Sequence, residues 1–174
     1  MDLTDEEPAV FILYAKWLQS DYLSIPYEPS HLSTDEILEE CRLLCSAYIF
    51  AETYQCTDFQ DAVMDALQNR GRVIAGYFLP DLNLIWKIFE NTSKSSPLRR
   101  LVADLYVWSY GDDWRSDLMY EHAHVDFYYH IALALRRRLN APLMKPPFAA
   151  ESVCTYHFHP LVGELCYKEK MVTT

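Results

Sequence analysis

Glycine is scarce in this chain, with four residues among 174 against an ordinary usage of ~7%. That shortage disfavours sandwiches, barrels and phosphate-cradling loops, whose turns need positive φ at many positions. Long apolar runs are missing too: none approaches the ~18 residues that span a bilayer. The N-terminus, Met1-Asp-Leu-Thr-Asp-Glu-Glu7, is acidic where a secretory leader starts with positive charge. An intracellular protein, cytoplasmic or nuclear, is therefore expected. Basic residues are in deficit, with 15 Lys and Arg against 25 Asp and Glu, a formal charge of −10 and a pI near 4.9. The clusters Arg99-Arg100 and Arg136-Arg137-Arg138 are too small to offset that charge, so neither nucleic acid nor a membrane is an expected partner. Five cysteines are an odd number without framework spacing, and disulfides are not expected. No serine sits in a Gly-x-Ser-x-Gly elbow.

What remains is a length suited to one domain and a strong helical signal. Pro8 opens a helix in which Val10, Phe11, Tyr14, Trp17 and Leu18 recur at helical spacing, ending near Ser20. Residues 22–25 are at most a short strand before Pro26 and Pro29. Ser33-Thr-Asp-Glu36 is a capping box, followed by Ile37, Leu38, Cys41, Leu44, Cys45, Tyr48 and Ile49 at steps of three and four. Thr57-Asp-Phe-Gln60 reads as a second box, with Phe59, Ala62, Val63, Ala66 and Leu67 inward and Gly71 at the end. Pro80-Asp81 and Ser96-Pro97 start two further helices, and a sixth spans about His124 to Leu139, burying Val125, Tyr128, Tyr129, Ala132 and Leu133. The predicted fold is all-α, a bundle of about six helices with an irregular C-terminal tail.

That tail carries the clearest chemistry. Cys154, His157, His159 and Cys166 follow the spacing Cys-x2-His-x-His-x6-Cys, which is not a standard zinc-finger spacing. In an extended segment His157 and His159 face the same way, and the two cysteines can close a tetrahedral shell around a structural zinc. The alternative is that Tyr156, Phe158 and the histidines simply pack and hydrogen-bond against the helices. His122-Ala-His124-Val-Asp126 imitates the His-x-His-x-Asp of metal-dependent hydrolases, but at a helix start and without the spread of further ligands such enzymes need. Glu39-Glu40 and Asp112-Asp113 read as solvated faces. Thirteen tyrosines within 14% aromatic content exceed what a small helical core needs, and exposed members such as Tyr22, Tyr27, Tyr110 or Trp114 suit a docking patch.

The order of these features is similar to that of a fungal BTB/POZ-domain protein. Glu7-Pro-Ala-Val-Phe11 through Trp17-Leu18 and Tyr22-Leu23 resembles the segment where a helix runs into a short strand. The capped hairpin of residues 34–70, with Ala47-Tyr48, Ala51-Glu52 and Phe59 to Leu67, resembles the last two helices of the domain. The stretch Ile88 to Thr92, Ser96 to Asp104, the helix through Ala132 to Arg138 and Cys154-x-Tyr156-His157-x-His159 are similar to the helical extension and tail of such proteins. The resemblance divides the chain into a partial BTB-like region at 1–75, a helical extension at 76–140 and a Pro-rich linker with the Cys/His tail at 141–174. It implies a non-enzymatic protein-interaction module, an adaptor of the ubiquitin-ligase kind by analogy, whose partner is a second copy or a cullin. Trp17, Tyr22 and Leu23 are the expected partner contacts. The chain departs from that pattern by starting after the sheet-building half, so a short gene model, a recruited partner surface or helices repacked on the extension are all open. A zinc-stabilised helical module that binds through its tail is the competing reading, and a metal-dependent hydrolase is a third.

Overall fold

The computed structural model describes residues 7–23, 33–73, 79–108, 123–140, 145–146, 154–158 and 166–172. Among them are seven helices and no strand: α1 (Pro8–Ser20), α2 (Thr34–Thr53), α3 (Thr57–Val73), α4 (Leu82–Asn91), α5 (Pro97–Trp108), α6 (Val125–Asn140) and α7 (Tyr167–Val172). The all-α class is the expected one. The short α7 is an addition, lying in the tail where irregular chain was expected. Residues 22 and 23 form a bend and its exit rather than a strand, and residues 24 and 25 lie outside the described residues.

Local chemistry sets most helix boundaries. At Ser33 the capping box forms: Ser33 Oγ accepts from Glu36 N at 3.3 Å and Glu36 Oε2 accepts from Ser33 N at 2.8 Å. Asp81 caps α4 by accepting from Leu84 N at 2.8 Å. The box expected at Thr57 does not form. The helix bond from Gln60 N goes to Cys56 O, so Thr57 is already helical, and Gln60 Nε2 instead donates to the buried Tyr48 hydroxyl at 2.7 Å. α3 also runs past the buried Gly71 to Val73. With glycine rare, left-handed conformations fall to Asp21 (φ 53°), which ends α1, and Gln55 (φ 57°), in the turn between α2 and α3.

One continuous core joins these helices. α2 packs against α1, α3 and α4, while α5 packs against α3, α4 and α6. The expected stripes of α2 and α3 are buried, with Leu38 and Ala66 only partly so. Trp17, expected at a partner surface, is instead a core residue, 8% exposed, with its ring 5.3 Å from that of Phe59 and stacked on Tyr14 at 6.3 Å. α1 buries Val10, Leu13 and Trp17, so Phe11 and Leu18 of the expected stripe face outward.

One polar residue departs from its expected place, and a second is buried without any signal in the sequence. Glu40 is 2% exposed rather than on a solvated face, and Arg70 Nε donates to its Oε1 at 2.5 Å, an ion pair with both side chains buried. Arg99 is buried as well and ties three helices together. It donates to Phe89 O and Thr92 O at the end of α4, each at 2.5 Å, to Thr92 Oγ1 at 2.9 Å and to Asp126 Oδ2 on α6 at 3.2 Å. A cation at the last carbonyls of a helix complements both their lone pairs and the helix dipole.

Candidate metal centre

The C-terminal segment lies on α3 and α5 through a series of polar anchors. Tyr156 is fully buried, and its hydroxyl donates to Asp104 Oδ2 at 2.7 Å, while Arg137 Nη2 donates to Asp104 Oδ1 at 2.6 Å. One α5 carboxylate thus links the tail to α6. Arg100 covers the Tyr156 ring at 4.9 Å and donates to Thr155 O. Burial, then the neighbouring Asp104, pushes the Tyr156 hydroxyl pKa far up, so it remains a donor. On the α3 side, Phe158 N donates to Asp61 Oδ1 at 2.7 Å, and the Tyr167 hydroxyl donates to Asp65 Oδ2. Lys168 pairs with Asp65 at 2.7 Å and Lys170 with Asp58 at 2.7 Å.

Within this frame the sulfurs of Cys154 and Cys166 and a ring nitrogen of His157 lie within 4.8 Å of one another, a group that can hold a metal ion. His157 Nδ1 is 3.4 Å from Cys166 Sγ. Zinc bonds of roughly 2.3 Å to sulfur and 2.0–2.1 Å to nitrogen in a tetrahedron place such ligand atoms about 3.5 Å apart, so this edge already fits. The other ring nitrogen, Nε2, is 3.0 Å from Asp65 Oδ1. A carboxylate on the far nitrogen fixes the tautomer and turns Nδ1 toward the sulfurs, the outer arrangement that metal-binding histidines commonly have.

The electrostatics of the site favour a cation. The Cys154 thiol is pushed up by burial, then by Cys166, Asp61 and Asp65 close by. Burial also works to raise the Asp65 carboxyl, but the hydrogen bonds from His157, Lys168 and Tyr167 outweigh it and hold the carboxyl below its ordinary range. Asp61 Oδ2 is 3.9 Å from His157 Nδ1. A divalent ion at the sulfurs would relieve repulsion among these acidic groups.

Of the four ligands read from the sequence, the structure brings together Cys154, His157 and Cys166. His159 lies outside the described residues. Of the three expected partner contacts, Trp17 is in the core, Leu23 is partly buried, and Tyr22 is 72% exposed. Sequence reasoning missed Asp65, because its link to His157 crosses 92 positions and leaves no local signal.

The hydrolase-like triplet is not assembled as a metal site. His124 accepts from Asp126 N at 3.2 Å and packs edge-on against Trp86, with ring centroids 4.9 Å apart. Asp126 turns to Arg99, and His122 lies outside the described residues. The thiols of Cys41 and Cys45 are buried on one face of α2, and hydrogen bonding with Cys45, followed by burial, pushes the Cys41 pKa well up. A cavity of ≈ 450 Å³ between α2 and α4 is lined by Glu39, Arg42, Ser46, Asp81 and Lys87. Its cations are engaged, Arg42 with Glu39 and Asp81, and Lys87 with Ser46. Among the described residues no helix is long and apolar enough to cross a membrane. No family model, curated protein or solved structure matches this chain.

Proposed function

We propose that the chain is a non-enzymatic protein-interaction module, BTB-like in the order of its helices, whose C-terminal tail is clasped on itself by a structural zinc, with the ligand His157 held to α3 through Asp65. The observation that carries this reading is the convergence of Cys154, His157 and Cys166 with Asp65 on the far side of the imidazole. Two thiolates and one imidazole suit zinc better than magnesium or calcium, which prefer oxygen ligands. His159 is the fourth ligand in this reading, and four protein ligands leave no position for water or substrate. Zinc analysis of untagged protein tests it directly. One zinc per chain, lost together with tail order on chelation, is the expected result, and a stoichiometry near zero removes the reading.

The interaction half of the proposal rests on α1. With Trp17 inside, Phe11, Ile12, Leu18 and Tyr22 are left exposed on that segment, apolar side chains open to another surface. A second copy is the partner proposed. Light scattering on the intact chain should give a dimer that Ile12→Glu converts to a monomer, whereas a wild-type monomer at tens of micromolar would remove self-association.

A further inference from the structure

We propose that Cys154 and Cys166 are an oxidation site, a thiol pair that a peroxide converts to a disulfide with expulsion of the bound metal. The metal-release half rests on the zinc reading above; the pairing of the two sulfurs does not. Three observations single out this pair. Their sulfurs lie within 4.8 Å of each other, and a disulfide of roughly 2.05 Å needs the two to approach by at most about 2.7 Å. Cys154 is exposed in the turn that carries it, so it has room to rotate and is open to a small oxidant, whereas Cys166 is buried directly behind it. The remaining cysteines lack this arrangement. Cys41 and Cys45 are enclosed on one helix, and Cys56 rests against the Tyr14 hydroxyl at 3.5 Å.

The chemistry balances with hydrogen peroxide as the oxidant. The Cys154 thiol first gives up its proton to solvent, its sulfur attacks one peroxide oxygen, the O–O bond breaks, and the departing hydroxide takes up a proton to become water, leaving a sulfenic acid on Cys154. The Cys166 thiolate then attacks that sulfur. The S–S bond forms as the S–O bond breaks, and the second hydroxide leaves as water on taking a proton. Two thiols supply two electrons and two protons, and one peroxide becomes two waters. A disulfide sulfur is a poor zinc ligand, since the metal is held by thiolate, so both cysteines leave the shell together. Bound zinc in turn occupies the sulfur lone pairs and slows the first attack.

The test exposes the intact chain, zinc-loaded and zinc-stripped, to excess hydrogen peroxide, followed by non-reducing peptide mapping and colorimetric zinc measurement. The expected product is a Cys154–Cys166 crosslink lighter by two hydrogens, one zinc released per crosslink, and faster reaction in stripped protein. Cys154→Ser should yield no crosslink, and since it also removes a ligand of the zinc reading, its helical signal should match that of zinc-stripped wild type. Crosslinks at other pairs, over-oxidised Cys154 beside an intact Cys166 thiol, or a stripped protein that keeps all its thiols would overturn the inference and leave the zinc reading standing. A crosslink formed in protein that never binds zinc would sink the zinc reading and uphold the oxidation site.

Discussion

The α2–α3 hairpin and the C-terminal tail are held by different forces. In the hairpin, Tyr48, Phe50, Phe59, Val63 and Met64 are almost wholly removed from water, each large side chain contributing about 1.5–3 kcal/mol of burial. Among its described residues the tail brings two buried aromatics, Tyr156 and Tyr167, and attaches for the rest largely through Asp61, Asp65, Asp104 and Arg100. Hydrogen bonds of this kind net only about 1 kcal/mol each. The hairpin is thus stable through area, whereas the tail depends on a polar network that a metal would reinforce.

The strongest blow to the hairpin is Phe59→Ala, which empties the space between Tyr14 and Trp17, rings 5.0 and 5.3 Å away. A loss of about 3–5 kcal/mol is expected from denaturant titration, with every helix melting earlier. Next is Arg70→Met, which strands the buried Glu40 carboxylate and should cost about 3 kcal/mol. Replacing Glu40 and Arg70 together by leucine should recover most of that loss, because the pair's desolvation is then removed too. In the tail, Tyr156→Phe removes the hydroxyl from Asp104 and should cost about 1–2 kcal/mol. Its effect should appear as faster proteolysis near residue 155, with the hairpin unchanged.

The smallest effect is pH-dependent. Asp81 is subject to burial, which raises its carboxyl pKa, but Arg42 and the Leu84 N–H outweigh it and leave it below the ordinary 3.8. A depressed carboxyl stabilises the fold fully above its unfolded value and loses that contribution as pH falls through the folded one. Asp81→Ala should therefore cost about 1 kcal/mol near neutrality. The gap from wild type should close progressively below pH 3.8, and melts at several acidic pH values measure it.

How far these differences can be read from sequence depends on how sharply each helix separates apolar from polar residues. In α2 the stripe from Ile37 to Ile49 carries all its expected positions inward or nearly so. In α6 the expected face was rotated. Phe127, Ile131 and Ala134 are buried, whereas Val125 is 74% exposed and Tyr128 and Tyr129 also face outward. Apolar residues occupy most of the circumference of α6, so periodicity allows more than one inward face, and contact with Tyr106 and Phe89 selects Phe127. Glu40 failed for a related reason: its neighbour Glu39 is exposed, and only Arg70, 30 positions away, makes its burial tolerable. At the candidate centre the ligand types were legible in the Cys/His spacing, whereas Asp65 depended on how the tail lies against α3.

Peptide-resolved hydrogen exchange of the intact chain, with and without a zinc chelator, tests the central claim most directly. A metal-clasped tail predicts that chelation abolishes protection in residues 154–158 and 166–172 and leaves α2 unchanged. Identical exchange in the tail under both conditions would contradict it.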